Sequence, residues 1–161
     1  MITFDQFSNR IRILRGGEGQ NLRRRYLAVF VDQASEYFKV RIAPESYDDA
    51  GVFYEGYLWD TLKSPEVIDW QQFEAGLRAC NPVFVMWDLH SPDRILIDNY
   101  FKFGRDVIIA ADSETILTGL RYLPEDLYVF DEQFRWSLIA THEYVDGSGR
   151  WCLRQKSHAA E

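Results

Sequence analysis

Four aspartates follow apolar, strand-like segments, and this arrangement can bind a metal ion. They end the segments Val29–Asp32, Val85–Asp88, Ile109–Asp112 and Tyr128–Asp131. If the strands were parallel, their carboxylates would meet at one end of the sheet and could hold Mg²⁺ or Mn²⁺ for phosphoryl chemistry. Aspartate is also favoured at helix N-caps and in turns, which would make Asp112 a cap and Asp131 a hairpin-turn residue. Because the sequence contains neither a P-loop nor a GxGxxG motif, we favour these local roles.

A second polar group surrounds His90. Asp88 lies two residues before it, so both side chains would face the same side of a strand. A metal site would need His142 and Glu143 to meet this segment in space, and no HExxH or similar ligand spacing supports one. We therefore expect no metal, no cofactor and no catalytic residue. We interpret the group as a structural polar network of Asp88, His90, Asp93, Arg94, His142 and Glu143.

Acidic residues and aromatic rings are interleaved in two parts of the chain. Residues 45–60 contain five acids and no Lys or Arg, and residues 112–146 contain eight acids against two arginines. Carboxylates steer and orient a basic partner, whereas rings supply buried area, so this pattern favours a protein-binding surface. The alternative is a solvated acidic face above core aromatics. We predict that the partner-binding residues are Tyr54, Glu55, Trp59, Asp60, Asp131, Glu132 and Trp136.

The composition restricts the class of partner. The chain has 161 residues and a net charge of −7, which argues against nucleic acid and anionic membranes. Cys80 and Cys152 belong to no CxxC or zinc spacing, as is usual for reduced cysteines. The N-terminus has no basic region followed by an apolar one, so we expect a cytoplasmic protein.

The segments around these residues predict helices and strands in one domain, 1–161. Thr3 and Gln6 have capping-box spacing before a helix that we expect to stop at Gly16–Gly17. Residues 22–42 predict two strands, or a helix leading into one strand, because Phe38, Val40 and Ile42 alternate with charged residues. A second helix is expected to open at Ser64–Pro65 and to end at Asn81–Pro82.

The later segments complete the prediction of the fold. We expect an irregular or helical connection over 93–103, a turn at residues 48–51 and a helix after Asp112. Strands are expected at 83–87, 107–111, 127–130, 136–141 and 151–154. Strands that alternate with helices suggest parallel pairing in the middle of the chain. The predicted fold class is therefore α/β, bordering on α+β: one mixed β-sheet with helices packed on it and an antiparallel C-terminal hairpin.

Three stretches, taken together, resemble small bacterial proteins of the kind that serve as immunity proteins beside polymorphic toxins. They are Tyr54–Asp60, Trp87–Arg94 and Tyr128–Trp136, the last continuing to Glu143. Leu58–Leu62 and Trp70–Glu74 are also similar to short stretches of barstar, an acidic inhibitor of a bacterial ribonuclease. These resemblances imply a cytoplasmic protein that masks the active site of an enzyme.

The sequence leaves three functions open. The first is a non-enzymatic immunity or inhibitor protein whose partner is a basic, nuclease-like toxin. The second is a metal-dependent enzyme that uses the strand-end aspartates. The third is a structural subunit whose aromatic residues form a homodimer interface. We favour the first.

Overall fold

The N-terminal segment forms two helices separated by a short strand. The computed structural model describes residues 1–91, 103–147 and 149–157. Helix α1 (Phe4–Arg10) begins with the predicted capping box, in which Thr3 and Gln6 exchange hydrogen bonds of 2.9 and 3.2 Å. The chain then continues as β1 (Arg12–Leu14). Gly16 has a φ of +59° and begins the next helix, so the prediction that it stops the first helix is wrong.

Residues 22–42 contain no regular strand. Helix α2 (Gly16–Phe30) buries Tyr26 and Phe30 against the sheet, and a π-helical turn follows at Phe38–Ile42. Phe38 and Ile42 are buried, but Val40 is 58% exposed. The alternation that predicted a strand is therefore also compatible with a helical turn, in which positions i and i+4 share a face.

Short elements connect this region to the third helix. The predicted turn at residues 48–51 joins β2 (Ser46–Asp48) to β3 (Gly51–Phe53), and a 3₁₀ turn follows at Leu58–Asp60. Strand β4 (Glu66–Ile68) occupies the position where the sequence predicts the start of a helix. Helix α3 (Trp70–Arg78) begins after Asp69, which forms a second capping box with Gln72.

The remaining elements build the centre of the sheet. They are β5 (Val83–Met86), β6 (Ile108–Ala111), helix α4 (Ser113–Thr118), a 3₁₀ turn (Leu120–Tyr122), β7 (Leu127–Phe130), β8 (Trp136–Val145) and β9 (Gly149–Lys156). The strand order is β1-β6-β5-β7-β8-β9-β4. Helices packed on one sheet with a C-terminal β8–β9 hairpin confirm the predicted fold class. Every strand pair within the described residues is antiparallel, which corrects the expected parallel pairing. The predicted connection over 93–103 falls almost wholly outside the described residues.

The sheet separates two apolar layers. One layer packs Phe7, Phe73 and Ile116, from α1, α3 and α4, against inward-facing residues such as Val85 and Val129. The other packs α2, the π-helical turn and residues 54–62 against the opposite face. This second layer positions the candidate site. Within the described residues, none of the helices has the length and apolar character needed to cross a membrane.

Candidate binding surface

The strand-end aspartates do not meet. Strand β5 is antiparallel to both β6 and β7, so Asp88 lies at one end of the sheet and Asp112 and Asp131 lie at the other. Asp32 follows α2 and accepts a hydrogen bond from the backbone of Ala34. Among the described residues, no group of three or more His, Cys, Asp or Glu side chains is arranged to hold a metal ion. The geometry therefore does not support a metal site built from these four residues.

Asp112 and Asp131 have the local roles that the sequence favours. Asp112 caps α4 by accepting a 2.8 Å hydrogen bond from the backbone of Thr115, and this bond lowers the pKa of the Asp112 carboxyl. Asp131 lies in the β7–β8 connection and accepts hydrogen bonds from the backbone and guanidinium of Arg135, at 2.7 and 2.8 Å. Both predictions are confirmed.

Asp88 organises a buried polar cluster at the other end of the sheet. It is 2% exposed and accepts hydrogen bonds from the hydroxyls of Tyr54 and Tyr128, at 2.8 and 2.7 Å. The backbone N–H of Leu58 donates a third hydrogen bond, at 3.0 Å. Burial raises the pKa of Asp88, and the charge of nearby His90 and these hydrogen bonds oppose that effect.

His90 extends the cluster toward the neighbouring loops. Its Nε2 lies 2.7 Å from the carbonyl oxygen of Gly56, and its own carbonyl accepts a 3.1 Å hydrogen bond from Arg105. The guanidinium of Arg105 is buried and also binds Asp48, which lowers the pKa of that carboxyl. The cluster therefore fixes residues 48–60 to the segment that follows β5 and contains Asp88 and His90.

The predicted polar network divides between the interior and the surface. Asp88 and His90 are buried, whereas His142 and Glu143 are exposed on β8. Nδ1 of His142 lies 3.0 Å from the carboxylate of Asp126. The other two predicted members, Asp93 and Arg94, lie outside the described residues.

A contiguous surface joins the exposed part of this network to the 54–60 segment. The ring of Tyr57 lies 4.7 Å from His90, 5.4 Å from His142 and 5.1 Å from Trp59. The hydroxyl of Tyr37 accepts a 3.1 Å hydrogen bond from the backbone of Tyr57. We call this group of neighbouring side chains the acidic aromatic surface. It comprises Tyr37, Tyr57, Trp59, Asp60, His142 and Glu143.

Two carboxylates of this surface repel each other. Burial and the charge of Glu143 raise the pKa of Asp60, while a hydrogen bond from Tyr37 lowers it. Asp60 belongs to the 3₁₀ turn and Glu143 to β8, so separate elements bring the two charges together. Within the described residues, neither carboxylate forms an ion pair. A cation from another molecule would relieve this repulsion.

The seven predicted partner-binding residues do not share one surface. Trp59 and Asp60 belong to the acidic aromatic surface, although Trp59 is only 9% exposed. The side chain of Tyr54 is buried, and its hydroxyl donates a hydrogen bond to Asp88. Glu55 is exposed, and its carboxylate lies 3.9 Å from the guanidinium of Arg41. The other three are Asp131, Glu132 and Trp136, which lie at the opposite end of the sheet. There Asp131 is bound by Arg135, and Trp136 packs against the apolar layer of α1, α3 and α4.

That opposite end contains a polar cleft of about 320 Å³. Its lining includes Cys80, Pro82, Glu132 and Arg135. Burial, reinforced by the charge of Asp131, raises the pKa of the Cys80 thiol. The cleft therefore holds a protonated cysteine beside Asp131 and Arg135, which already form an ion pair with each other.

The sequence interpretation missed Tyr37, Tyr57 and Tyr128 as site residues. Tyr128 accepts a 2.9 Å hydrogen bond from the backbone of Trp59 and donates to Asp88, so it links the 54–60 segment to the sheet. A tyrosine in an apolar strand is a signal for such a link, because a buried hydroxyl needs a partner. The sequence does not identify that partner.

Comparisons with known proteins add no relative. No family model, curated protein or solved structure shows significant similarity to this chain. The resemblance to immunity proteins therefore stays a prediction, and a functional proposal depends on the geometry of the acidic aromatic surface.

Proposed function

We propose that this chain is a cytoplasmic, non-enzymatic immunity or inhibitor protein. Its partner would be a basic bacterial toxin, such as a nuclease, held by the acidic aromatic surface. The observation that carries the proposal is the packing of the Tyr57 and Trp59 rings against His142, at 5.4 and 6.4 Å, which brings the segment of Asp60 against the strand of Glu143. Within the described residues, neither of these two carboxylates forms an ion pair. A protein that binds a cationic cleft gains affinity and association rate from such charges.

The neighbouring rings supply the apolar part of the contact. Tyr57 is half-buried and Trp59 lies behind it, with Trp151 a further 5.4 Å away from Trp59. Aromatic residues set in a rigid surface are frequent hot spots, because they bury a large area at little cost in conformational entropy. Charge and apolar area therefore coincide on one surface.

Capture followed by an inhibition assay tests the proposal. Tagged protein is used as bait in lysate of its native host, and proteins released by high salt are purified and tested for toxic enzyme activity. We expect a basic protein whose activity the chain inhibits at equimolar concentration. If the captured proteins are acidic, or if the chain leaves their activity unchanged, the proposal is wrong.

A pair of variants tests whether the acidic aromatic surface is the part of the protein that binds the captured partner. Asp60→Asn with Glu143→Gln removes both charges, whereas Glu132→Gln removes one exposed carboxylate at the other end of the sheet. We expect the double variant to lose at least about tenfold in affinity, since charged groups at the centre of an interface often contribute 1.4 kcal/mol or more (roughly tenfold). Glu132→Gln should bind like the unmodified protein.

A further inference from the structure

Among the residues that the structure describes, few backbone hydrogen bonds hold the 54–60 segment in position. Within the described part of the chain it pairs with no strand, and its 3₁₀ turn closes through a bond from Asp60 to Tyr57. The backbone N–H of Tyr54 donates a 2.8 Å hydrogen bond to the carbonyl of Leu89. The backbone N–H of Gly56 donates one of 3.0 Å to the carbonyl of Arg41. Segments with so few ladder bonds open locally more readily than a sheet does.

Two buried side chains hold the centre of the segment. Asp88 accepts hydrogen bonds from the hydroxyl of Tyr54 and from the backbone of Leu58. Tyr128 donates to the same carboxylate and accepts from the backbone of Trp59. These three donors to Asp88 come from two points of the segment and from the sheet beneath it.

We propose that Asp88 and Tyr128 are positioning residues that hold Trp59 and Asp60 in their places on the acidic aromatic surface. Tyr128 belongs to β7, in the interior of the sheet, and therefore provides a rigid anchor. Without its hydroxyl, the buried N–H of Trp59 loses its acceptor and Asp88 loses a donor. The segment then opens while the sheet stays folded.

A matched pair of variants tests this role without a partner. Tyr128→Phe removes the anchor, and Tyr26→Phe removes an equally buried hydroxyl on the same face of the sheet. The hydroxyl of Tyr26 binds Ser137 at 2.6 Å rather than the 54–60 segment. Hydrogen exchange followed by NMR then reports opening at each backbone amide.

In Tyr128→Phe we expect exchange of the Leu58 and Trp59 amides to accelerate by about tenfold or more, because a hydrogen bond to a charged group is lost. The pKa of Asp60 should fall as its carboxyl becomes more solvated and moves away from Glu143. Neither change should occur in Tyr26→Phe. Equal acceleration in the two variants, or an unchanged pKa of Asp60, would overturn the positioning role.

Tyr54→Phe provides a second test if Tyr128→Phe does not fold. It removes one donor to Asp88 and leaves Trp59 attached to Tyr128. We expect Leu58 to exchange faster than in Tyr26→Phe; an equal rate would contradict the proposal. The consequence for binding rests on the proposed function, but the exchange measurement does not. A failure to capture a basic partner and a failure of the positioning role are therefore distinguishable.

Discussion

Neutralising Glu143 should stabilise the protein and at the same time weaken its binding. In Glu143→Gln, the repulsion of Asp60 is removed while the size of the side chain is kept. Asp60 is exposed, so solvent screens the pair strongly, and we estimate a gain of only about 0.3 kcal/mol in the free energy of unfolding. For a chain of this length, such a gain raises Tm by roughly 1 °C.

The pH dependence gives this prediction a defined sign. Because Glu143 helps to raise the pKa of Asp60, the pKa of Asp60 should fall in Glu143→Gln. The stability difference between variant and unmodified protein should be present above the pKa of Asp60. It should disappear as the pH falls through that pKa, because a protonated Asp60 no longer repels a charge at position 143.

Thermal unfolding at low and high salt, with an NMR titration of the Asp60 carboxyl, measures both effects. High salt should abolish the difference in Tm, because it screens exposed charges. Glu132→Gln controls for the general loss of negative charge. A lower Tm in Glu143→Gln than in this control, or an unchanged pKa of Asp60, would refute the reasoning.

Three other predictions concern the rest of the fold. Asp112→Ala should cost about 1 kcal/mol at neutral pH by removing the α4 cap. The pKa of Asp112 is lowered, so the cost of losing the cap should shrink as the pH falls through that lowered pKa. Denaturant unfolding near pH 7 and near pH 3 would show the change. Thiol labelling of the native protein should modify half-buried Cys80 before Cys152, whose pKa burial raises to about 11; equal rates would contradict this order. Gly119→Ala should lower Tm, because the added methyl group would collide with the ring of Phe7. In Gly17→Ala the added methyl group has no atom within 4 Å, so Tm should not fall.

Local chemistry made several parts of the fold predictable. The capping box at Thr3, the turn at residues 48–51 and the cap at Asp112 each depend on residues within three or four positions of one another. The β7–β8 hairpin and β9 were predictable because each strand follows its partner in the chain after a short connection. The turn residues and the apolar runs on either side therefore indicate the pairing.

Other features depend on distant contacts. Phe38 and Ile42 suit a strand and a helical turn equally, and packing against the second apolar layer selects the turn. Strand β4 has only three residues and exists because β9 pairs with it. Strand direction is also set by the whole topology, so the sequence could not show that Asp88 lies far from Asp112.

The candidate site was predictable in part. Aromatic and acidic composition identified Trp59 and Asp60, but it also selected Asp131 and Trp136, which lie at the other end of the sheet. The link between Trp59 and Tyr128 spans 69 positions in the sequence. Composition identifies residue types that suit binding, whereas only the fold shows which of them share a surface.

The most direct test of the proposed function is the inhibition constant of the captured basic partner, measured with surface variants. We predict that Asp60→Asn with Glu143→Gln weakens inhibition by about tenfold or more, that the loss shrinks at high salt, and that Glu132→Gln inhibits normally. If the double variant inhibits as well as the unmodified protein, the acidic aromatic surface does not bind the partner.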